Sequence, residues 1–212
     1  DNWQLQVILI PEHIPRRLVI DENDFPISLD SDDIPPIINN IKNPLELGFS
    51  ASSTIGESDI TLSYFNGYDR GFSFIGTTDY GYRNTQVLGA NLLSFWNDYI
   101  YRTELAFFDT KNDAGDISAQ YYQGVYQLEY ITESDIIYNI QFINQMIFIT
   151  DGNIIDENND LVPLTKENFS SGMGTPFAML SDKSIVLSST KNYGDDSLEL
   201  SAMLFVNLED TG

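Results

Sequence analysis

The chain has 212 residues, of which 32 are acidic and 10 are basic, and its net charge is −22. Such a charge argues against nucleic acid as a partner, because a phosphate backbone requires a basic protein surface. The sequence contains no cysteine, which excludes a disulfide framework and a thiolate metal site. No apolar run approaches the roughly 20 residues of a membrane-spanning helix, although membrane-spanning strands leave only a weak trace in hydropathy.

Apolar residues recur at every second position along most of the chain, which is the pattern of β-strands. The clearest case is 197–208, in which an apolar row from Leu198 to Leu208 alternates with a row that contains Glu199. Many of these segments are longer than the five or six residues that are typical of soluble sheets. The predicted strands cover 3–10, 45–53, 58–66, 84–95, 99–108, 118–131, 136–149, 176–189 and 197–208.

The links between the predicted strands alternate in length. Bacterial outer-membrane barrels have short turns on one side and long loops on the other, whereas a Greek-key sandwich has no reason to keep this alternation. A separate strand at Phe72, Phe74 and Ile75 would break the alternation. The long links are 11–44, 67–83, 109–117 and 150–175, and the short ones are 54–57, 96–98, 132–135 and 190–196.

These patterns predict an all-β fold, an antiparallel up-and-down transmembrane β-barrel that occupies 1–212 as a single domain. The predicted number of strands is odd, whereas single-chain bacterial barrels normally have an even number. A new loop also begins after Leu208. We therefore expect the chain to hold an incomplete set of strands from a larger barrel.

Four stretches carry a resemblance to a known group of proteins: 3–11 (WQLQVILIP), 60–69 (ITLSYFNGYD), 87–92 (VLGANL) and 101–108 (YRTELAFF). In this order they resemble the strand and loop motifs of poorly characterised Gram-negative outer-membrane porin-like β-barrel proteins. The resemblance implies a passive or partner-assisted channel in the outer membrane and supplies no substrate. The chain departs from the group at Asn91, where an aspartate is expected, and in lacking the closing strands.

Polar residues of the predicted strands form rows that alternate with the apolar rows. In a barrel these rows face the lumen, where opposed charges set selectivity. The alternative is a packed or solvated interior in which the same groups only satisfy one another. The candidate lumen-facing residues are Arg102, Glu104, Gln127, Glu129, Asn139, Gln141 and Glu199.

The sequence gives little support for catalytic chemistry, and we do not expect the protein to be an enzyme. A pair formed by Glu104 and Glu129 would suit glycoside hydrolysis only at a suitable separation. His13 is the only histidine and lies between two prolines, Pro11 and Pro15, without a serine motif that points to it. A structural role in a loop is the expected one.

Acidic residues concentrate in the predicted loops, for example in 151–160. Solvated loops are the simpler interpretation, and the alternative is divalent-cation binding at a lipopolysaccharide-coated surface. Asp156, Asn158 and Asp160 have the spacing of calcium ligands, but Leu161 stands where the sharp turn of an EF-hand requires glycine. We expect no cofactor, with calcium bound loosely at most.

The expected function is passage of a small solute across the bacterial outer membrane without a chemical step. The expected partners are the lipid bilayer, lipopolysaccharide, the solute and a periplasmic protein. Aromatic residues near predicted strand ends, such as Trp96, Tyr99 and Tyr130, suit the boundary between membrane and water.

The main alternative is a soluble secreted or periplasmic β-sandwich or barrel that binds carbohydrate or lipid with its apolar face inward. A surface adhesion or cation-binding module is a third possibility and depends only on the acidic loops.

Overall fold

The computed structural model describes residues 3–14, 41, 43–75, 80–156, 160–173, 182–194 and 197–208. Nine long strands form one antiparallel sheet, and four short strands form two separate hairpins. These residues contain no helix, and therefore none that is long and apolar enough to cross a membrane. In chain order the strands are β1 (Gln4–Ile10), β2 (Glu46–Ile55), β3 (Ser58–Tyr68), β4 (Ser73–Phe74), β5 (Tyr80–Gly81), β6 (Asn84–Trp96), β7 (Tyr99–Lys111), β8 (Ser118–Ile131), β9 (Ile136–Asp151), β10 (Asn153–Ile155), β11 (Leu161–Pro163), β12 (Lys183–Tyr193) and β13 (Leu198–Asn207).

The long strands follow one another in space as they do in the chain, in the order β1-β2-β3-β6-β7-β8-β9-β12-β13. This order confirms the predicted antiparallel, up-and-down arrangement. The short hairpins, β4 with β5 and β10 with β11, lie outside this order. The segment around Phe72 therefore does contain a strand, but that strand does not join the main sheet, and the alternation of long and short links is kept.

Tight turns connect the long strands at one end of the sheet, which we call the turn end; the opposite end is the loop end. Gly56, Asn97, Asp135 and Gly194 lie in the tight turns, and their φ angles are 62°, 51°, 57° and 59°. Glycine adopts this left-handed conformation freely, and Asn and Asp tolerate it better than other residues. The turn chemistry thus agrees with the predicted short links.

The bounds of one predicted strand require correction, and the predicted barrel is observed only in part. The strand expected at 176–189 begins at Lys183 and continues to Tyr193, because β9 and β13 both offer pairing partners there: Ile136 for Lys191, and Leu198 for Tyr193. The part of that prediction at 176–181 lies outside the described residues. The sheet is also not closed into a barrel by the described residues, since β1 pairs only with β2 and β13 pairs only with β12.

The two faces of the sheet differ in chemistry. Directly paired residues lie on the same side of a sheet, and successive residues of a strand lie on opposite sides. We call the side that bears Glu104 the polar face and the opposite side, which bears Leu105, the apolar face. One row of paired residues across the polar face runs Gln4, Ser52, Thr61, Asn91, Glu104, Val125, Ile143, Ser184 and Asn207.

The buried apolar core lies on the polar face, at its loop end. There the alternating pattern changes, and Phe108, Tyr121 and Ile147 take positions that are polar farther along the same strands. They pack against Ile154, Leu164 and Phe169. These three belong to the segment 152–173, which contains β10 and β11 and which we call the covering segment. The sheet therefore buries part of its polar face and leaves its apolar face uncovered within the described structure.

Candidate functional site

The polar face carries all seven of the predicted lumen-facing residues. Arg102, Gln127 and Gln141 are paired across β7, β8 and β9, and Glu129 pairs with Asn139 in the next row toward the turn end. Glu104 lies one row toward the loop end, and Glu199 of β13 pairs with Asn192 on the same face. Strand alternation and register thus bring the predicted residues onto one surface.

Some amides of this surface hydrogen-bond to one another, whereas the Asn139 Oδ1 atom is buried without a partner in the described structure. Gln141 donates a hydrogen bond of 3.0 Å to the Gln127 carbonyl oxygen, and Gln123 donates one of 2.6 Å to Gln145. Within the described structure Arg102 and Glu104 form no ion pair with each other or with another residue. Both side chains are exposed.

A depression of about 220 Å³ lies in the middle of the polar face, beside the core. Its floor is a row of small residues, because Gly89 pairs with Ala106 there. Glu104 and Asn91 stand on the side toward the turn end, and the Val87–Phe108 pair stands on the side toward the loop end. Ser63 and Gln123 bound the floor on its two flanks.

A buried cluster around Glu46 joins the start of β2 to the link that follows β3. Arg70 donates two hydrogen bonds to the Glu46 carboxylate, at 2.9 and 2.6 Å, and the Tyr68 amide donates a third at 3.0 Å. His13 lies with its Nδ1 atom 2.9 Å from the same carboxylate, and both side chains are buried. This contact agrees with the structural role expected for His13.

A second buried cluster lies beside it and contains the Asp69–Arg83 ion pair. The Arg83 Nε donates to the Asp69 carboxylate at 3.1 Å, and the Thr85 hydroxyl donates to the same carboxylate. Burial raises the pKa of the Asp69 carboxyl above its ordinary value, although the Arg83 guanidinium and the Thr85 hydroxyl favour the charged form. Both members of the pair are almost completely inaccessible to solvent.

These clusters hold the covering segment in place. Arg83 donates a hydrogen bond of 2.7 Å to the Ser170 carbonyl oxygen, and its guanidinium lies over the Phe169 ring, 4.8 Å from the ring centroid. The amides of Arg70 and Gly71 both donate to the Gly172 carbonyl oxygen, at 3.1 and 2.8 Å. The Tyr121 hydroxyl donates a hydrogen bond of 3.1 Å to the carbonyl oxygen of Met173. The covering segment is therefore fixed to the polar face at the loop end by charged and backbone contacts.

Two other groupings suggested by the sequence are the Glu104–Glu129 pair and the set of Asp156, Asn158 and Asp160. Glu104 pairs with Val125, which is four residues from Glu129 along β8, so the two carboxylates stand about 13 Å apart along the sheet. This separation exceeds the spacing used by glycosidases. The Asp156 carboxylate accepts a hydrogen bond from the Asp160 amide and closes the β10–β11 turn, and Asn158 lies outside the described residues. The described residues contain no group of three or more metal-ligating side chains.

The apolar face has a continuous aromatic row at its turn end. Trp96, Tyr99, Tyr130 and Tyr138 are paired in sequence across β6, β7, β8 and β9. The rings of Tyr99 and Tyr130 stack with their centroids 4.9 Å apart. All four side chains are exposed, Trp96 by 73%. Toward the loop end the same face carries exposed aliphatic residues such as Leu62, Leu88 and Leu204.

Comparison of the chain with protein-family models, with curated proteins and with solved structures gives no match.

Proposed function

We propose that the nine-stranded sheet is part of the wall of a β-barrel in the bacterial outer membrane, of the porin-like kind that its motifs resemble. The apolar face contacts lipid, the polar face lines a water-filled passage, and a small solute crosses without a chemical step. The observation that carries the proposal is the position of the core. Within the described part of the chain, the sheet packs its covering segment on the polar face and leaves the apolar face uncovered.

The size of the uncovered face is the first quantitative support. Nine strands at about 4.8 Å spacing and about ten residues in height form a face of roughly 1,200 Å². The largest apolar patch on a soluble monomer is typically about 300–600 Å². A face this large in water would favour aggregation, whereas contact with lipid removes it from water.

Strand length and the aromatic row support the same proposal. β6 and β7 have 13 residues each, which corresponds to about 43 Å along each strand. A strand tilted by about 40° needs 9–11 residues to cross the membrane. The aromatic row at the turn end has the composition of an interfacial girdle. A polar row that includes Gln86, Asp109 and Gln120 borders the apolar face at the loop end.

The proposal assigns different roles to the two ends of the sheet. Long loops face outward in outer-membrane barrels, so the loop end faces the cell exterior and the turn end faces the periplasm. The covering segment then narrows the passage near its external mouth. The acidic loops face lipopolysaccharide, where divalent cations bridge acidic groups. A periplasmic protein that receives the solute would contact the turn end.

Within the described residues, β1 and β13 each pair on one side only. An edge strand presents unpaired backbone groups, which cannot remain unsatisfied in lipid. The proposal therefore includes further strands that close the barrel. These strands are not among the described residues.

The test is fractionation of the protein as the cell makes it, followed by electrophoresis in detergent with and without boiling. We expect the protein in the outer membrane, with faster migration before boiling, and stepwise conductance after addition to a planar bilayer. A protein that remains in solution after cell lysis would contradict the proposal and would favour a β-sandwich that binds carbohydrate or lipid. A membrane-embedded protein without conductance would keep the wall and reject the passage.

A further inference from the structure

From the depression on the polar face we infer a binding site for a small organic ammonium ion, with the Glu104 carboxylate as the group that recognises its charge. This inference rests on the proposed passage and adds to it the class of solute that the passage favours.

The shape of the depression is built into the sheet. Its floor consists of Gly89 and Ala106, which have little or no side chain, while larger residues surround them. A Cβ atom at position 89 would meet the Ser63 hydroxyl, so even an alanine there would encroach on this space. The volume of about 220 Å³ is below the range of roughly 300–1,000 Å³ that is usual for drug-sized ligands. A small solute is the appropriate occupant.

The chemistry of the depression changes from one side to the other. The side toward the turn end presents the Glu104 carboxylate and the Asn91 amide, and Ser63 adds a hydroxyl on one flank. The side toward the loop end presents Val87 and the Phe108 ring, which is held parallel to Tyr121 with 4.5 Å between centroids. A ligand with a cationic head and a short apolar body matches both sides.

The charge of the surrounding surface favours the same ligand. The strands of the polar face carry four carboxylates and one cation apart from the Glu46 cluster. The carboxylates are Asp59, Glu104, Glu129 and Glu199 and the cation is Arg102, so four negative charges less one positive charge give a net charge of −3. Glu46 and Arg70 neutralise each other in their own cluster. Clefts lined with charges of one sign raise the local concentration of ions of the opposite sign.

Glu104 is the carboxylate that lines the depression, and it has no protein cation as a partner within the described structure. An ammonium ion on Glu104 would form a charge-assisted hydrogen bond, which is stronger than a bond between neutral groups. Asn91 pairs with Glu104 across β6 and β7 and offers a carbonyl oxygen beside it. Arg102, two residues away on the same face, would repel a cationic solute, but the three other carboxylates of that face together outweigh this repulsion.

The experiment is a titration of n-butylammonium into isotope-labelled, detergent-folded protein, followed through the side-chain amide signals of Asn91 and Gln123. We expect saturable shifts of both signals, and little response to 1-butanol, which has a similar body without the charge. Glu104→Gln keeps the size of the side chain and should weaken binding by about tenfold or more. The matched control, Glu199→Gln, removes a charge from the same face outside the depression and should leave affinity within about twofold.

A second variant separates charge from shape. Gly89→Ala leaves Glu104 in place but adds a methyl group to the floor, and it should also weaken binding. Equal affinity of wild type and Glu104→Gln, or equal responses to butylammonium and butanol, would overturn the inference. Conductance measured on the same preparations distinguishes the two proposals: conductance without ammonium binding rejects this site alone, and binding without conductance rejects the passage alone.

Discussion

Arg83 is a buried cation that holds three groups at once: the Asp69 carboxylate, the Ser170 carbonyl oxygen and the face of Phe169. Replacing it with methionine keeps most of its length and removes its charge and donors. We expect Arg83→Met to lower the free energy of unfolding by about 3 kcal/mol, because Asp69 is left buried without its partner. Urea unfolding in detergent, followed by tryptophan fluorescence, measures the change. Arg102→Met, at an exposed site that has no ion pair among the described residues, should stay within about 0.5 kcal/mol of wild type.

The same variant has a predictable pH dependence. Burial already raises the pKa of Asp69 in the folded protein, and loss of Arg83 raises this pKa further. A carboxyl group whose pKa is higher in the folded than in the unfolded protein stabilises the fold below its unfolded pKa. This stabilisation is lost as the pH rises through the folded pKa. The destabilisation by Arg83→Met should therefore be small at about pH 4 and grow toward about pH 8. A destabilisation that is constant over this range would contradict a charged Asp69 as its cause.

Gly172 is held too close to its neighbours to accept a side chain. A Cβ atom there would lie 2.6 Å from Cγ and 2.7 Å from Cβ of Asp69, and these atoms belong to a buried side chain with little freedom to move. Gly172→Ala should loosen the covering segment and raise the exchange rates of the Arg70 and Gly71 amides by at least about tenfold. Hydrogen exchange measured by NMR tests this expectation. Gly48→Ala is the control, since its Cβ would lie 3.5 Å from Ile8, an ordinary contact.

The predictability of individual residues depended on whether alternation alone determines their position. Arg102, Glu104 and Gln127 were placed on one face by a period of two, and the register confirms that they share it. The Glu46–Arg70 and Asp69–Arg83 pairs were not predicted. Their members are 24 and 14 residues apart, and at least one member of each pair lies in a link, where no periodicity specifies which side chains meet.

At the scale of elements, the nine long strands were predictable because their apolar periodicity extends over ten or more residues in most of them. The strand β12 was misplaced because its pairing extends to Tyr193, beyond the region of clear alternation. The covering segment was not predicted at all. Its buried residues, Ile154, Leu164 and Phe169, are separated by acidic and polar residues, and β10 and β11 have only three residues each.

A pair of neighbouring substitutions on β3 tests the assignment of the two faces. Leu62 lies in the middle of the apolar face and is 52% exposed, while Thr61 precedes it on the polar face. In a bilayer, Leu62→Arg should cost about 2–4 kcal/mol, and Thr61→Arg should cost much less. Reversible folding into lipid vesicles measures both. Equal costs for the two variants would contradict contact between the apolar face and lipid.

At the scale of the whole molecule, the number of strands constrains how the sheet can close. β1 and β13 are the first and ninth strands of an antiparallel order, so they run in the same direction. Direct closure would therefore pair them in parallel, which departs from the all-antiparallel closure of bacterial barrels. An odd number of additional strands restores antiparallel pairing throughout. We expect at least one further strand between β1 and β13.

Introduced cysteines can test this closure, because the chain has no cysteine of its own. With one strand between them, facing residues of β1 and β13 would be about 10 Å apart, which is beyond the reach of a disulfide. Gln6→Cys should therefore form no disulfide with cysteines placed in turn at Ser201, Met203 and Phe205 in the membrane-inserted protein. Gln6→Cys with Ser50→Cys is the positive control, since these residues are paired across β1 and β2. A disulfide between β1 and β13 that forms as readily as the control would mean that the nine strands close on themselves, and the wall would then need no strand from elsewhere.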